Sequence, residues 1–248
     1  MRSTGSPMSA ERKDIHNSDI PVLCRSCEAR HGGVCAVLEP DQLLAFARAT
    51  RKARHEPGQE LLGESAEVQT YANVMRGVVK LSKVLEDGRQ QLVGLQFAPD
   101  FLGRLYGETS EVTAEAASEV ELCIVPRATL EQLVGRNPAL ERRLMVQTLR
   151  ELDEARDWML TLGRKTAQER VASFLYLLAT HLDPAAAEAR STAFDLPLTR
   201  FDIADFLGLT VETVSRQLTR LKRMGAIVIA NTRHIEVPDV GRLKALCG

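Results

Sequence analysis

The sequence contains no run of apolar residues long enough to cross a membrane. Its longest apolar run, Phe174 to Ala179, falls far short of the roughly 20 residues that a transmembrane helix needs. The first 20 residues are polar and charged, and they lack the apolar segment of a secretory signal peptide. We therefore expect a flexible N-terminal arm on a cytoplasmic protein with no membrane partner, in which cysteine thiols stay reduced.

The sequence also lacks a marked charge of either sign and lacks the common catalytic motifs. The formal net charge is -1 over 248 residues, so any affinity for nucleic acid must come from local clusters of Lys and Arg. There is no nucleophile–base pair, no P-loop and no dinucleotide-binding fingerprint. We therefore expect a protein of two modest domains that is not an enzyme.

A pattern of two short helices joined by a tight turn lies near the C-terminus. Thr199 and Asp202 have the spacing of a capping box at the start of the first helix, and Gly208 breaks this helix. Thr210 is placed to cap the second helix, and Gly225 ends it. This arrangement is typical of a helix-turn-helix.

The second helix has two chemically different faces. Val214, Leu218 and Leu221 form an apolar stripe, which we expect to be buried. The first turns carry a polar trio on one face, because its members are three and four residues apart: Glu212, Ser215 and Arg216. Arg can donate two bonds to guanine and Glu can accept one from cytosine, so we expect the trio to contact bases in the major groove. We expect contacts to DNA phosphates from a further set: Thr199, Thr210, Arg220, Lys222 and Arg233.

Two short apolar runs after the second helix argue against a plain helical hairpin with a solvated charged face. The runs cover residues 227–230 and 234–237, and they flank a polar segment with Arg233 at its end. They predict a β-hairpin with a cation at its tip. A hairpin at this position is typical of a winged helix-turn-helix, so we expect residues 164–248 to form a DNA-binding domain.

Short alternating strands predict an antiparallel β-roll in the first half of the chain. Residues 71–85 and 90–97 have the pattern of two strands joined by a hairpin at Asp87-Gly88. Shorter runs at 112–116 and 120–125 complete the roll, and a short helix at 41–49 precedes it. We assign residues 1–40 to an arm that carries cysteines and residues 41–137 to the roll.

Asn137 and Pro138 predict the start of a long helix that covers residues 138–163. Its heptad positions form a narrow seam without charge, flanked by charged residues, which favours a dimer coil over packing on the protein's own roll. The residues that we expect at the dimer interface are Met145, Leu152, Ala155, Met159 and Leu162. The segment Gly163-Arg164-Lys165 is interpreted as a hinge before the DNA-binding domain.

Three cysteines lie within twelve residues of the arm, in the pattern Cys24-x2-Cys27-x7-Cys35. This clustering indicates a metal site, because reduced thiols in such numbers are good ligands. One possibility is a local Cys3His zinc site that adds His31. The other adds Cys123 to give four thiolates for an iron–sulfur cluster. Spacing alone slightly favours zinc.

The order of arm, roll, long helix and winged helix-turn-helix resembles the CRP/FNR family of bacterial transcription regulators over essentially the whole chain. The recognition helix, LTVETVSRQLTRL, and the cysteine spacing are similar to the oxygen-responsive FNR/FnrL-type branch. The implied fold is α+β, with a roll of the double-stranded β-helix or jelly-roll type found in cyclic-nucleotide-binding domains. The implied ligands of a [4Fe-4S] cluster are Cys24, Cys27, Cys35 and Cys123.

The resemblance implies a homodimer that binds TTGAT-N4-ATCAA-type inverted repeats in double-stranded DNA under low oxygen and that has RNA polymerase as a partner. A cyclic-nucleotide-dependent regulator is a competing interpretation. Gly107-Glu108 fits such a pocket, but the segment 109–118 has no arginine to pair with a buried phosphate. A zinc-dependent regulator is a second competing interpretation, and an iron–sulfur electron carrier is a third, from a different class of protein.

Overall fold

A computed structural model of the chain describes Cys24, residues 27–183 and residues 190–248. The flexible arm predicted for residues 1–20 therefore lies outside the described residues, as does the 184–189 part of the loop between the helices of the C-terminal domain. In the part of the chain that is described, no helix combines the length and the apolar character needed to cross a membrane.

The N-terminal domain is a β-roll of two antiparallel four-stranded sheets, with strand orders β1-β8-β3-β6 and β2-β7-β4-β5. Small and branched side chains from both sheets, such as Val74, Val79 and Ala114, pack together in its core. The strands are β1 (Arg51–His55), β2 (Glu60–Leu62), β3 (Thr70–Arg76), β4 (Val78–Val84), β5 (Gln90–Phe97), β6 (Phe101–Leu102), β7 (Thr113–Ala116) and β8 (Val120–Pro126).

The prediction of one strand over residues 71–85 is wrong, because Gly77 divides it into β3 and β4. Gly77 has a φ of 87°, which favours glycine. A Cβ atom at this position would lie 2.1 Å from the carbonyl oxygen of Glu119. The break lets the chain pass from one sheet to the other, whereas the predicted hairpin at Asp87-Gly88 is confirmed and joins β4 to β5.

Short helices surround the beginning and the end of the roll. They are α1 (Glu28–His31), a 3-10 turn (Val34–Val37), α2 (Pro40–Ala49) and α3 (Arg127–Val134). The sequence predicts α2 but not α3. Apolar residues of the 3-10 turn, α2 and α3 share one core with Tyr71 and Phe101 of the roll. Residues 27–37, which contain Cys27 and Cys35 and are called the cysteine segment below, are therefore packed against the roll and form part of the folded domain.

The long helix α4 (Pro138–Arg164) begins as predicted. Asn137 Oδ1 accepts hydrogen bonds from the backbone N–H groups of Ala139 and Leu140, each at 3.1 Å. Gly163 and Arg164 are helical, so only Lys165 of the predicted hinge lies outside the helix. Near its C-terminal end, the Trp158 ring packs against Phe206 of the next domain at 4.5 Å between centroids.

The C-terminal domain is a helical domain with a small sheet of order β10-β11-β9. The β10–β11 hairpin is the predicted wing, whereas β9 was not predicted. The elements are α5 (Ala167–Leu182), β9 (Thr192–Asp195), α6 (Arg200–Leu207), α7 (Val211–Arg223), β10 (Val228–Ile229), β11 (His234–Val237) and α8 (Val240–Ala245).

The roll and the C-terminal domain are joined by polar contacts around α6. Lys80 of β4 donates hydrogen bonds to Asp202 Oδ1 and lies equally close to Glu115 Oε1, at 2.9 Å each. Burial lowers the pKa of Lys80, but the hydrogen bonds with Asp202 and Glu115 outweigh it and raise that pKa. The backbone N–H of Leu92 donates to Asp205 Oδ2 at 3.1 Å. These contacts fix α6 against the β4–β5 hairpin.

Candidate DNA-recognition surface and cysteine site

The turn between α6 and α7 is built by the residues that the sequence indicates. Thr199 Oγ1 donates to Asp202 Oδ2 at 2.5 Å, and the backbone N–H of Asp202 donates back to Thr199 Oγ1 at 3.1 Å. Gly208 ends α6 in the left-handed conformation, with a φ of 59°. Thr210 Oγ1 accepts from the backbone N–H of Thr213 at 3.2 Å and caps α7. The predicted capping scheme is confirmed.

The polar and apolar faces of α7 are separated as predicted. Val214, Leu218 and Leu221 are buried, whereas Glu212, Ser215 and Arg216 are exposed on the first turns. Arg216 Nη2 donates to Thr213 Oγ1 at 3.3 Å, which directs the guanidinium towards the N-terminal end of the helix. The structure thus brings the trio to one accessible face, and its base contacts stay a prediction.

The residues predicted to contact phosphates are accessible to solvent. Thr199, Thr210, Arg220, Lys222 and Arg233 are all exposed. Lys222 Nζ donates to the carbonyl oxygen of Ile229 at 3.3 Å, so it connects α7 to the wing. At the wing tip, Asn231 Oδ1 accepts the backbone N–H of Arg233 at 2.8 Å and gives the turn a fixed shape.

Arg200 belongs to this surface but was not predicted from the sequence. Its Nη2 atom donates to the carbonyl oxygen of Thr232 at 3.2 Å, and this bond connects the first turn of α6 to the wing tip. Its Nη1 atom is buried without a hydrogen-bond partner among the described residues. No local signal distinguishes such an arginine from the other cations nearby, because its partner lies 32 residues away.

Four cysteines from distant parts of the chain line one small cavity. Cys123 lies on β8, where it is paired with Asn73 of β3 on one side and Lys52 of β1 on the other. Cys24, Cys27 and Cys35 reach the same cavity from the arm, together with Phe46, Thr50, Asn73 and Met75. Cys27, Cys35 and Cys123 are each 8% exposed, so water has little access to their sulfur atoms.

Burial and the proximity of other cysteines disfavour negative charge on the thiols of Cys24, Cys35 and Cys123. Burial, followed by the neighbouring Cys27 and Cys123, raises the pKa of Cys24 to about 11. Burial also raises the pKa values of Cys35 and Cys123. These three thiols therefore keep their protons at neutral pH unless a positive group binds, since metal ligation stabilises the thiolate form.

The donor set fits a cluster better than the local zinc site. His31 is exposed, and it does not line the cavity with the cysteines. Among the described residues, no three His, Cys, Asp or Glu side chains converge closely enough to hold a single ion. An iron–sulfur cluster does not need such convergence, because each thiolate can bind a different iron atom.

A larger cavity of about 580 Å³ lies between the roll and α4. Gly107 and Glu108, on which the cyclic-nucleotide interpretation depends, do not line it, although Tyr106 and Ser110 do. Among the described residues that line it, the one cation is Arg104, which is 3.5 Å from Glu111. Glu141 and Glu151 also line this cavity. Burial raises the pKa of Glu151 to about 7. A phosphodiester would thus meet the carboxylates of Glu111 and Glu141, the partly protonated Glu151 and an already paired arginine, so the chemistry disfavours an anionic ligand.

Comparisons with known proteins agree with this architecture. A model described as "Crp-like helix-turn-helix domain" matches residues 169–246, and one described as "Cyclic nucleotide-binding domain" matches residues 52–137. A protein of Rhizobium leguminosarum bv. viciae, described as a "Probable transcriptional activator", is 52% identical over 239 residues, which are 96% of this chain and 99% of the relative. The chain belongs to the CRP/FNR family of transcription regulators.

Other CRP/FNR-family proteins match over similar lengths. The transcriptional activator protein FnrL of Cereibacter sphaeroides is 39% identical, over 91% of this chain and 93% of the relative. The solved structure of FixK2 from Bradyrhizobium japonicum has a TM-score of 0.73 and 35% identity, and it covers 80% of this chain and 98% of that chain. As a CRP/FNR-family regulator, the protein has the predicted α+β fold and a DNA-binding helix-turn-helix. Relatives that regulate transcription do not favour the electron-carrier interpretation.

Proposed function

We propose that the protein is an oxygen-responsive transcription regulator that acts as a homodimer with a [4Fe-4S] cluster in each chain. Under low oxygen it binds inverted repeats of the TTGAT-N4-ATCAA type and acts through RNA polymerase. The observation that carries this proposal is that Cys123 of the roll and three cysteines of the arm line one buried cavity. The same chain exposes Glu212, Ser215 and Arg216 on a capped helix, where they are accessible to bases of the major groove.

Cys24, Cys27, Cys35 and Cys123 would hold the cluster. When bound, the cluster supplies the reactivity towards oxygen that these side chains lack. Asn73 supports the site from the floor of the cavity: it is 1% exposed, and its Nδ2 atom lies 4.0 Å from Cys35 Sγ. Such donors around metal ligands fix ligand orientation and tune reactivity. The buried setting limits access of water to the sulfur atoms.

Packing between the cysteine segment and α4 supports a route from the cysteines to the dimer. Val34 and Cys35 share a core with Leu140 and Leu144, which lie in the first two turns of α4. The opposite side of α4 is apolar and exposed in the single chain, which favours a second copy as its partner. Its exposed apolar residues include Met145, Val146, Leu149, Leu152 and Met159.

The predicted seam agrees with this exposed side except near its end. Met145, Leu152, Ala155 and Met159 are exposed, whereas Leu162 is partly buried. Leu149 is 53% exposed and was not in the predicted set. A dimer along this side presents two recognition helices to successive major grooves. The inverted repeat of the proposed operator has the matching twofold symmetry.

The decisive experiment uses protein purified without oxygen. We expect a brown protein with a broad thiolate-to-iron absorbance, with iron and acid-labile sulfide in equal amounts. We expect it to sediment as a dimer and to bind a TTGAT-N4-ATCAA duplex more tightly than a scrambled duplex. After exposure to air, we expect loss of the absorbance, a shift towards monomer and weaker binding to the specific duplex.

Two results would contradict the proposal. A colourless protein with one zinc per chain would favour a zinc-dependent regulator. A coloured protein whose dimer and DNA affinity do not change in air would contradict oxygen control. As a control, cyclic AMP added to the metal-free protein should not increase binding to either duplex, because the roll cavity is lined by carboxylates.

A further inference from the structure

Arg143 connects the cysteine segment to the long helix by hydrogen bonds. It lies in the second turn of α4. Its Nε atom donates to the carbonyl oxygen of Gly33 at 3.1 Å, and its Nη2 atom donates to the carbonyl oxygen of Gly32. Both acceptors lie between Cys27 and Cys35 in the chain. One charged side chain therefore holds the backbone between two of the proposed ligands.

Close packing fixes the position of this backbone. A Cβ atom on Gly33 would lie 2.7 Å from Ala29 Cα and 3.0 Å from the carbonyl oxygen of Pro99. Such distances leave no room for a side chain, so Gly33 lets the segment sit between α1 and the roll. The two carbonyl oxygens that Arg143 contacts belong to the backbone that sets the distance between Cys27 and Cys35, so a rearrangement of this backbone changes their positions.

Arg143 is also close in the helix to the apolar side of α4. Val146 follows three residues later, so its side chain lies beside that of Arg143 on the helix surface. Val146 is exposed in the single chain. While the two carbonyls accept its hydrogen bonds, the guanidinium is held at the cysteine segment. If it loses them, the hydrogen-bonded link between α4 and the cysteine segment is broken.

We propose that Arg143 couples the state of the cysteine site to dimerisation of the protein. This inference rests on the proposed function, because it assumes that the cysteines hold a cluster and that α4 forms the dimer. Arg143 is a positioning residue and does not bind the cluster. It favours the dimer while the cysteine segment is ordered around the loaded site, because it then holds the first turns of α4 in place, and this contribution is lost when that segment rearranges.

Measuring the dimer in two states separates coupling from simple stabilisation. The dissociation constant of the dimer is measured by sedimentation for anaerobic iron-loaded protein and for metal-free protein. The constant of the metal-free protein divided by that of the iron-loaded protein is then compared between variants. For Arg143→Ala, we expect this ratio to fall by roughly tenfold, which is the scale of losing hydrogen bonds from a charged donor. The ratio for Arg143→Lys should lie between the ratios for Arg143→Ala and for the wild type.

Arg150 provides a matched control on the same helix. It lies seven residues after Arg143, so it has the same heptad position and charge, and it is exposed. Arg150→Ala should leave the ratio at the wild-type value. Iron and sulfide contents are measured for every variant and should equal those of the wild type, because neither arginine is a ligand in the proposed site.

The outcomes distinguish this inference from the proposed function. If Arg143→Ala changes both dissociation constants by the same factor, or loses iron, Arg143 is only a structural contact and the inference is wrong. If Arg143→Ala does not fold, by circular dichroism, the ratio for Arg143→Lys decides in the same way. If wild-type protein takes up no iron, or its dimer is equally strong in both states, the proposed function fails before Arg143 is tested.

Discussion

The recognition helix and the cysteine site place their functional side chains in opposite environments. Glu212, Ser215 and Arg216 are exposed on a single helix, whose orientation is fixed by local caps and a buried stripe. Cys35 and Cys123 are buried and come from segments 88 residues apart in the chain. The face of α7 is complete once α6, α7 and the turn between them have folded, and it is accessible to a large partner. The cysteine site forms only when the arm and the roll are folded together.

This difference predicts how many properties of the protein change when a residue of each site is substituted. A substitution on the exposed face of α7 removes one contact and leaves the fold unchanged. A substitution in the cysteine site removes a proposed ligand and should also affect packing against α4. Variants in each region, and at the junction between them, test this contrast.

The largest effect is expected for Cys123→Ser. This change should abolish iron and sulfide binding as completely as Cys24→Ser, because both residues line the same cavity although they are distant in sequence. It should also weaken the dimer, which we assign to α4, and specific DNA binding, which we assign to α7. Iron and acid-labile sulfide per chain are measured under anaerobic conditions.

Cys247→Ser and His31→Ala are the matched controls for this prediction. Cys247 is buried in the C-terminal domain, where its Sγ atom donates to the carbonyl oxygen of Leu243 at 3.4 Å. His31 is exposed. Both variants should keep their iron. If Cys123→Ser keeps its iron while His31→Ala loses bound metal, the site is the local Cys3His arrangement.

At the junction of the two regions, Lys80→Gln should lower the stability of the folded protein. The side chains of Lys80 and Asp202 are only 13% and 14% exposed. We expect a loss of about 2–3 kcal/mol, less than the roughly 3–5 kcal/mol of a fully buried pair that loses one partner. Lys83 is 47% exposed and 4.0 Å from its carboxylates, so Lys83→Gln should cost less than about 1 kcal/mol. Thermal unfolding of metal-free protein gives the comparison.

The effect of Lys80→Gln should depend on pH in a defined direction. Burial raises the pKa of Asp202, but the hydrogen bonds from Thr199 and Lys80 outweigh it and hold that pKa below its ordinary value. A lowered pKa contributes stability above the unfolded value of about 4, and this contribution is lost as pH falls through the folded value. The difference in Tm between wild type and variant should therefore be full at pH 7 and shrink below about pH 4. A constant difference would mean that the ion pair is not its source.

A smaller effect, confined to one property, is expected for Arg216→Ala. A bidentate contact between arginine and guanine carries about 1–3 kcal/mol of discrimination per site. Binding to a TTGAT-N4-ATCAA duplex should weaken by that amount per half-site, with little change on a scrambled duplex. Anaerobic titrations with both duplexes measure it. An equal loss on both would make Arg216 a backbone contact.

The smallest effect is expected for Lys222→Ala. If Lys222 meets a phosphate, binding to specific and scrambled duplexes should weaken alike. The slope of log affinity against log salt should become shallower by about one charge. Lys222 also donates a hydrogen bond to the carbonyl oxygen of Ile229 in the wing. Loss of this bond should speed the hydrogen exchange of backbone amides in the wing, which gives a second measurement. An unchanged slope would show that Lys222 only supports the wing.

Features set by neighbours in the sequence could be predicted well, because their physics is local. The caps at Thr199, Thr210 and Asn137 depend on bonds across two or three residues, and the faces of α7 follow from the helical period alone. The division of one predicted strand at Gly77 depends on the carbonyl of Glu119, far along the chain. Such a contact leaves no local signal.

The cysteine site shows the same limit. Spacing in the arm slightly favours a zinc site with His31 and leaves a four-thiolate site with Cys123 as the alternative, and only the resemblance to a family favours Cys123 over His31. Membership of Cys123 in the site depends on the pairing of β8 with β3 and β1, which is decided by the whole roll. For the same reason, Lys80 and Arg200 had no predicted role, since their partners lie 122 and 32 residues away.

The two oxygen atoms of Asp202 serve different domains, and this has a consequence for chimeric regulators. Oδ2 caps α6 through Thr199, whereas Oδ1 accepts from Lys80 of the roll. A graft of residues 164–248 onto another sensor keeps the first bond and replaces the partner of the second. Such a fusion keeps the helix-turn-helix of this chain, but it keeps this polar link between the domains only where the recipient offers a cation at the position of Lys80. The choice of recipient scaffold therefore depends on residues outside the grafted segment, which include Lys80, Leu92 and Trp158.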